Sequence, residues 1–284
     1  MSALASRISR RFVISLALFQ LLLIYAWAVE PNWIEVTRHE TWFKNLPEEF
    51  DGLVVAHVSD LHMRGYGARE RRVLERLAEA RPGVIALTGD FTQEGSDPAA
   101  IRRFLEDLSK QKPAFGVWAV LGNYDHWYPP AANDDAVRKF FSDAGVALLV
   151  NEWGRIGKKL DTLTLVGVDD PFSGLDNLGD ALRGTQRTPF AILLTHAPQM
   201  FMKADLTKFD LVLAGHTHGG QVRLPGIGPL WLPAGSEGYD SGWFYGMNAQ
   251  MYVTRGVGTS ILPIRFLCRP EIALITLKRT ATKT

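Results

Sequence analysis

The chain has 284 residues, of which 46% are hydrophobic and 21% are charged. These proportions are ordinary for a globular protein and exclude wholesale disorder, and the length suits one large α/β domain with a leader. Lys and Arg number 31 against 30 Asp and Glu, a near balance that argues against a nucleic-acid-binding protein, and the single cysteine excludes an internal disulfide and a cysteine zinc cluster.

Residues 1–29 have the pattern of a membrane anchor or an export signal. Residues 12–29 carry no charge and are just long enough to cross a bilayer core as a helix. Three arginines lie before this stretch and no basic residue follows shortly, which predicts an inner-membrane protein with its N-terminus in the cytoplasm and its domain in the periplasm or outside the cell. Ser9–Ile14 resembles a twin-arginine export signal, and Ala26-Trp27-Ala28 matches a cleavage site. We predict a retained single-pass transmembrane helix, with a cleaved signal as the alternative.

Residues 30–50 are predicted to be a juxtamembrane strand or linker, and residues 51–284 one α/β domain. Three β-rich runs of this domain alternate with amphipathic helices and end at Asp60-Leu61-His62, at Gly89-Asp90 and at Gly122-Asn123. Alternation along a strand places the Asp and the His of the first motif on the same side. Because α/β sheets bind ligands at the carboxyl ends of their strands, we expect a site at this edge.

Two later buried runs end in histidine. Residues 191–195 lead to His196, and residues 211–214 lead to Gly215-His216-Thr217-His218. The predicted metal ligands are therefore Asp60, His62, Asp90, Asn123, His196, His216 and His218. An oxygen and imidazole set without thiolate suits Mn, Fe, Zn, Co or Ni. Seven ligands exceed what one ion uses, so we predict two divalent metal ions that share a bridging carboxylate.

A pair of metal ions about 3.5–4 Å apart is a common device for hydrolysing phosphate esters. Both ions coordinate the phosphoryl oxygens, and a water that bridges them loses its proton near neutral pH and attacks phosphorus as hydroxide. Each predicted ligand, taken alone, could equally be a structural residue whose side chain forms local hydrogen bonds in a turn. Their joint occurrence at five strand ends favours the metal site and a phosphate-ester substrate.

The succession D-x-H, G-D, G-N-x-D/H, a lone H and G-H-x-H, from about Leu53 to Gly220, resembles the calcineurin-like metallophosphoesterases. The tail R-G-V-G … P-I-R, followed by P-E-I, is similar to the membrane-associated bacterial branch of that family. The resemblance implies a hydrolase of the phosphodiesterase type with an αββα fold, in which two packed sheets are flanked by helices. It also implies one ion at Asp60, His62 and His218 and a second ion at Asn123, His196 and His216, with Asp90 bridging.

Tyr124 departs from the family pattern G-N-H-D/E, in which the histidine helps to protonate the leaving group or holds the phosphate. A tyrosine, with a reference pKa of about 10, donates a hydrogen bond but is a poorer proton shuttle at neutral pH. We hypothesise that His126, two residues later, acts as the general acid, or that the leaving group needs little protonation. Arg64 and Arg265 are the predicted substrate contacts to phosphate.

The sequence leaves the substrate open. Aromatic residues crowd the loops near the predicted site: Trp127, Tyr128, Trp231, Trp243, Phe244 and Tyr245. Two interpretations of these residues remain open: they contact a lipid chain or a sugar of the substrate, or they close the edges of the sheets. Some relatives in the resembling branch cleave the pyrophosphate of UDP-2,3-diacylglucosamine in lipid A synthesis on the cytoplasmic side, opposite to the side predicted here, and this reaction is the alternative function. A catalytically weakened metal-binding envelope protein and an envelope-anchoring module are two further alternatives, which the complete ligand set disfavours.

Overall fold

The computed structural model describes residues 2–158, 161–185 and 189–280. In chain order the strands are β1 (Glu35–Phe43), β2 (Val54–Val58), β3 (Val84–Thr88), β4 (Val117–Val120), β5 (Ala147–Leu148), β6 (Glu152–Lys158), β7 (Asp161–Gly167), β8 (Phe190–Leu194), β9 (Leu211–Ala214), β10 (Arg223–Leu224), β11 (Gly228–Pro229), β12 (Gly242–Tyr245), β13 (Gln250–Val253) and β14 (Glu271–Arg279). The α-helices are α1 (Ser2–Ile24), α2 (Ala68–Ala80), α3 (Pro98–Ser109), α4 (Asn123–Trp127), α5 (Asp134–Asp143), α6 (Leu178–Ala181) and α7 (Met200–Lys203).

Two six-stranded sheets form the body of the protein. Their strand orders are β1-β14-β2-β3-β4-β5 and β12-β13-β9-β8-β7-β6, and β10 and β11 form a separate small hairpin. Apolar residues of both sheets, among them Val55, Ala86 and Leu213, meet in one core between the sheets. A second core packs α2, α3 and α5 on the outer face of the first sheet. A third core packs α6 and α7 on the outer face of the second sheet, so the predicted αββα sandwich is confirmed.

Strands β2 and β3 are mostly apolar because both of their faces are covered, and their two polar residues, His57 and Thr88, hydrogen-bond each other. Val55 and Val84 point into the core between the sheets, whereas Ala56 and Ile85 point into the core beneath the helices. This alternation is the period of two of a β-strand. The strand ends are then the places where such a chain can carry polar side chains without burying them in an apolar core.

The segment before residue 51 is built into the first sheet. Strand β1 pairs in parallel with β14 along its whole length, from Glu35 opposite Glu271 to Phe43 opposite Arg279. Strand β14 in turn pairs antiparallel with β2. The juxtamembrane residues are therefore a strand with tertiary contacts and not a free linker.

The N-terminal helix stands apart from the three cores. Helix α1 continues through one π-helical segment, Tyr25–Val29, and a 3₁₀ segment, Glu30–Asn32. Between Arg11 and Asn32, the most apolar 18-residue window has a mean hydropathy of 2.3, and only 6% of that window is buried. Its length and composition are sufficient for one membrane crossing, a property that signal sequences near an N-terminus share.

Candidate metal centre

The seven predicted ligands meet at one edge of the sandwich. Strands β2, β3 and β4 are parallel neighbours in the first sheet, and β8 and β9 are parallel neighbours in the second. Their carboxyl ends open on the same side, so the five loops that follow them converge. Two overlapping groups of side chains have ligand atoms within 4.8 Å of one another: Asp60, His62 and His218, and Asp60, Asp90 and His196.

Asp90 belongs to the second group and also contacts a histidine of the first group. Its Oδ2 atom is 3.4 Å from His62 Nε2 and 3.3 Å from His196 Nε2. Its Oδ1 atom accepts the backbone N–H of Tyr124 at 2.9 Å. Because this hydrogen bond fixes the carboxylate plane, the free oxygen points at the space between the two imidazoles, as a bridging ligand would.

The imidazoles themselves are oriented by backbone carbonyls. His196 Nδ1 is 2.7 Å from the carbonyl of Thr88, and His216 Nε2 is 2.7 Å from the carbonyl of Ala234. A ring nitrogen that donates to a carbonyl leaves the lone pair on the other nitrogen. The two remaining nitrogens, His196 Nε2 and His216 Nδ1, face each other at 3.2 Å, and such a pair needs a proton or a cation between the lone pairs.

A second pair of ring nitrogens lies at a similar separation, since His62 Nε2 and His218 Nε2 are 3.1 Å apart; here the Nδ1 atom of His62 has no hydrogen-bond partner among the described residues, and that of His218 faces the guanidinium of Arg265. Asn123 is 3% exposed, and its side-chain Oδ1 atom has no hydrogen-bond partner among the described residues. A buried carbonyl oxygen without a partner is costly unless an electropositive ligand binds it. The facing nitrogens, the free carboxylate oxygen and this amide oxygen therefore fit divalent cations.

Burial keeps most of these histidines neutral. It lowers the pKa of His62 to about 4 and that of His216 to about 4, and it lowers the pKa of His218 well below its ordinary value. Burial acts in the same direction on His196, but the neighbouring Asp90 carboxylate outweighs it and raises the pKa of that histidine. Neutral imidazole is the form that ligates metals, and a cation next to Asp90 replaces the proton that His196 otherwise holds.

The backbone at the ligands is strained. Five of the seven have positive φ angles: Asp60 (54°), His62 (43°), Asp90 (55°), His216 (71°) and His218 (52°). Residues with a Cβ avoid this left-handed region, and such strain concentrates at functional sites. The turns fold each ligand back towards the strand ends instead of letting it continue outward.

Two glycines give the carboxylates room. A Cβ atom on Gly256, whose φ is +65°, would lie 2.7 Å from the Cβ of Asp60, and a Cβ atom on Gly122 would collide with Oδ1 of Asp90. Both positions therefore exclude any larger residue without displacement of a ligand.

Asp125 supports the centre from behind, and the sequence analysis did not single it out. Its Oδ2 atom accepts the backbone N–H groups of Asp90 (2.8 Å) and Gly122 (2.9 Å). Its Oδ1 atom accepts those of Phe91 (2.9 Å) and Thr92 (3.0 Å). The carboxylate thus ties the loop after β3 to the start of α4. Its position three residues after Gly122, where a helix-capping acid stands, was the available sequence signal.

The sequence model of the family described as calcineurin-like phosphoesterase matches residues 53–220. The chain belongs to that family. It is therefore a metallophosphoesterase, and the predictions of a metal-dependent phosphoester hydrolase and of its fold are confirmed.

Three relatives of this metallophosphoesterase resemble it over most of their length. The uncharacterized metallophosphoesterase YkuE of Bacillus subtilis is 32% identical, over 90% of this chain and 90% of its own. The phosphodiesterase YaeI of Escherichia coli is 29% identical, over 87% and 90%. The UDP-2,3-diacylglucosamine pyrophosphatase LpxG of Chlamydia trachomatis is 26% identical, over 89% and 93%.

A pocket of about 330 Å³ lies over the metal centre, and the two predicted catalytic residues relate to it differently. Tyr124 lines it, with its hydroxyl 3.0 Å from Ser260 Oγ and its ring edge-on to His62. His126 is not part of the lining, and its Nε2 atom lies 2.7 Å from Asp169 Oδ1. Burial lowers the pKa of His126, but the hydrogen bond with Asp169 outweighs it and raises that pKa above the ordinary value.

The two predicted phosphate contacts are placed differently from each other. Arg64 is exposed in a groove of about 680 Å³ that shares Tyr124 with the pocket. Arg265 is fully buried, and its guanidinium donates to the carbonyls of Arg255, Gly258 and Cys268. Its Nη2 atom lies 3.5 Å from Nδ1 of His218. The prediction that Arg265 contacts phosphate does not fit this position. The guanidinium N–H groups are bound to backbone carbonyls of the loop behind the predicted metal ligand His218.

The aromatic residues divide into two groups. Trp127 and Trp231 line the pocket, and Tyr128 lines the neighbouring groove. The other three, Trp243, Phe244 and Tyr245, are in β12, which is the edge strand of the second sheet. The substrate interpretation therefore fits the first group, and closure of a sheet edge fits the second.

Proposed function

We propose that this metallophosphoesterase is a phosphodiesterase that binds two divalent cations and is anchored to the membrane by its N-terminal helix. The observation that carries the proposal is the position of Asp90 Oδ2, which is 3.4 Å from a histidine of one ligand group and 3.3 Å from a histidine of the other. A carboxylate oxygen held between imidazoles of two ligand groups suits a pair of cations that share one ligand.

The chain's own residues divide between the two cations. Asp60, His62 and His218 hold the first, and Asn123, His196 and His216 hold the second, with Asp90 common to both. The donor set suits Mn, Fe, Zn, Co or Ni. When bound, such a pair of cations supplies positive charge for the phosphoryl oxygens and acidifies the water that attacks phosphorus. The protein fixes the geometry through the carbonyls behind the histidines and through Asp125.

Tyr124 and His126 act on the leaving-group side in this proposal. The Tyr124 hydroxyl lies in the pocket beside Ser260 and donates a hydrogen bond to the substrate there. His126 is the proposed general acid, because Asp169 favours its protonated form. The variants His126→Ala and Tyr124→Phe should lose most activity on diesters whose leaving groups are weak acids. An equal loss across a series of leaving groups would remove His126 from the acid role.

The contacts of the N-terminal helix support a retained anchor, and the arginines before its apolar stretch are the reason for proposing that the domain lies outside the cytoplasm. The backbone N–H of Arg265 donates to the carbonyl of Ala26 at 2.8 Å. Glu30 is fully buried, and its carboxylate accepts the backbone N–H groups of Leu267 and Cys268. Cleavage after Ala28 would remove the first of these contacts and place a new terminus beside the buried Glu30. Export in a folded state by the twin-arginine route is part of this proposal.

The similarity to LpxG supports a second candidate, hydrolysis of a lipid-linked pyrophosphate. The apolar side chains that line the pocket, such as Trp231 and Phe172, suit such a substrate. The two candidates differ in the bond that is cleaved. A panel with an aryl phosphodiester, an aryl monoester and a lipid-linked pyrophosphate separates them by their relative kcat/KM.

The purified full chain tests the dinuclear centre directly. Metal analysis should give two divalent ions per chain, and Mn²⁺-dependent hydrolysis of bis(p-nitrophenyl) phosphate should disappear with a chelator and return with the metal. The Asp90→Ala variant should lose activity by more than about 100-fold, whereas Asp97→Ala, at the N-cap of α3, should keep it. One ion per chain at full activity contradicts the proposal, and an inactive chain with two ions indicates the weakened metal-binding alternative.

A further inference from the structure

Six large apolar side chains project into solvent from two loops at the edge of the active-site pocket. They are Ile227, Leu230, Trp231, Ile261, Leu262 and Leu267, and each is between 51% and 75% exposed. We call this set the apolar rim. Trp231 and Ile261 also line the pocket over the metal centre, so the rim borders the pocket's mouth.

The two loops of the rim are bound to each other. Val222 and Phe266 form a β-bridge between them. The backbone N–H of Arg223 donates to the carbonyl of Phe266 at 2.9 Å, and that of Leu230 donates to the carbonyl of Val222 at 3.0 Å. The β10–β11 hairpin and the loop 261–267 are therefore one surface, with a fixed position relative to the pocket.

The same surface is bound to the end of the N-terminal helix. The ring of Phe266 packs edge-on against Tyr25 at 6.5 Å between centroids. The backbone N–H groups of the neighbouring residues Arg265 and Leu267 donate to the carbonyl of Ala26 and to the carboxylate of Glu30, respectively. The apolar helix and the rim thus leave the folded body at the same place.

Tryptophans mark the level of the membrane surface at this place. Trp27 is 61% exposed and Trp33 is 49% exposed, just where the apolar helix ends. The guanidinium of Arg269 lies 3.6 Å from the ring centroid of Trp33. Trp and Arg at the end of a membrane helix lie at the headgroup level. Leu267 of the rim is two residues from Arg269 along the chain, and the bridge between the two rim loops places the other rim residues on the same surface.

From this continuity we infer that the apolar rim docks into the surface of the bilayer that holds the helix, so that the pocket opens at the lipid–water boundary. The bilayer covers the exposed side chains, and the substrate is a phosphoester whose apolar part stays in the membrane while its phosphate reaches the metal centre. The inference rests on the proposed membrane anchor and phosphodiesterase activity, and it adds the substrate class and the face through which the substrate enters.

Depth measurements on the full chain test the docking. The variants Ile227→Cys and Leu262→Cys are labelled with an environment-sensitive fluorophore and reconstituted in vesicles of phosphatidylethanolamine and phosphatidylglycerol. Met247→Cys, at a fully exposed position in the β12–β13 turn, is the matched control, and Cys268 is buried, so the unmodified chain gives the background labelling. Nitroxide groups on the acyl chains should quench the labels at 227 and 262 and not the label at 247. Equal quenching at the three positions overturns the inference.

Activity measurements test the substrate class. The triple variant Ile227→Ser, Leu230→Ser and Leu262→Ser changes rim residues outside the pocket lining. It should hydrolyse hexadecyl p-nitrophenyl phosphate in vesicles about tenfold more slowly and keep its rate on the soluble bis(p-nitrophenyl) phosphate. The control variant Met202→Ser and Met247→Ser should keep both rates.

The outcomes separate the two proposals. If the triple variant loses the same factor on both esters, or on neither, the rim does not deliver substrate and the inference is wrong. If the unmodified chain hydrolyses neither ester with any of the divalent metals, the proposed phosphodiesterase activity fails, while the quenching at 227 and 262 still decides whether the rim docks.

Discussion

The Asp125 carboxylate offers a sharp test of how the centre is held. Its two oxygens accept four backbone N–H groups, two each, from the loop after β3 and from Gly122. In Asp125→Asn the amide nitrogen replaces one carboxylate oxygen. Because this nitrogen is itself a donor, it cannot accept the two backbone N–H groups that the oxygen accepted. Two charge-assisted hydrogen bonds are lost at about 1.5–3 kcal/mol each, partly offset because no buried charge remains. We expect the free energy of unfolding to fall by about 3 kcal/mol, which corresponds to a fall in Tm of about 6–12 °C.

The same substitution should loosen the metal centre, because Asp90 belongs to the loop that Asp125 ties down. We expect the Kd for Mn²⁺ to rise by about 10–100-fold, measured by calorimetry, alongside urea unfolding of the metal-free protein. Asp210→Asn is the matched control, since Asp210 also accepts a backbone N–H, from Ala191, and lies away from the centre. It should lower stability without changing the Kd. A folded Asp125→Asn protein that binds Mn²⁺ with the Kd of the unmodified chain would refute the reasoning.

Two further predictions concern the side-chain amide of Asn123 and the stability of the protein at low pH. In Asn123→Ala, the rise in Tm on adding Mn²⁺ should shrink while the Tm of the metal-free protein changes little, because the side-chain oxygen has no hydrogen-bond partner in the part of the chain that the structure describes. A large fall in the Tm of the metal-free variant would contradict this prediction. Burial raises the pKa of Glu271, but Arg255 outweighs it and lowers that pKa from 4.5 to about 2. The ionised Glu271 carboxylate therefore stabilises the folded protein above pH 4.5. This contribution to the free energy of unfolding, about 3 kcal/mol in all, is lost as the pH falls towards 2. Unfolding of Glu271→Gln should depend less on pH across this window, and parallel pH profiles would be evidence against the ion pair.

The position of the site was predictable because strand periodicity and strand order decide it. Parallel neighbours such as β2 and β3 end at the same edge of a sheet, so Asp60 and Asp90 could be placed together from the sequence. His196 follows a strand of the other sheet, and the packing of the two sheets brings it to Asp90. His57 is instead buried in the core. It lies inside β2, its Nε2 is 2.8 Å from Thr88 Oγ1, and burial lowers its pKa to about 3.

The sequence could not indicate the direction of a side chain where tertiary contacts decide it. Arg265 has the charge of a phosphate ligand, but the backbone carbonyls of its own loop bind its guanidinium. His39 stands in a polar stretch of the sequence, but it is half-buried because β1 joins the sheet, and its ring nitrogens contact Tyr252 and Trp243. These two partners of His39 lie 213 and 204 residues away along the chain, so no local pattern indicates the contacts.

The left-handed turns at five of the ligands have a consequence for substitution experiments on this centre. Alanine at His62 or His218 removes the imidazole but keeps the unfavourable φ angle, whereas glycine removes both, a difference of about 1 kcal/mol in favour of glycine. A glycine replacement therefore separates the loss of metal binding from backbone strain. The strained φ angles also mean that the metal-free protein is less stable than it would be without these ligands. Variants selected only for heat resistance should therefore tend to lose catalytic activity.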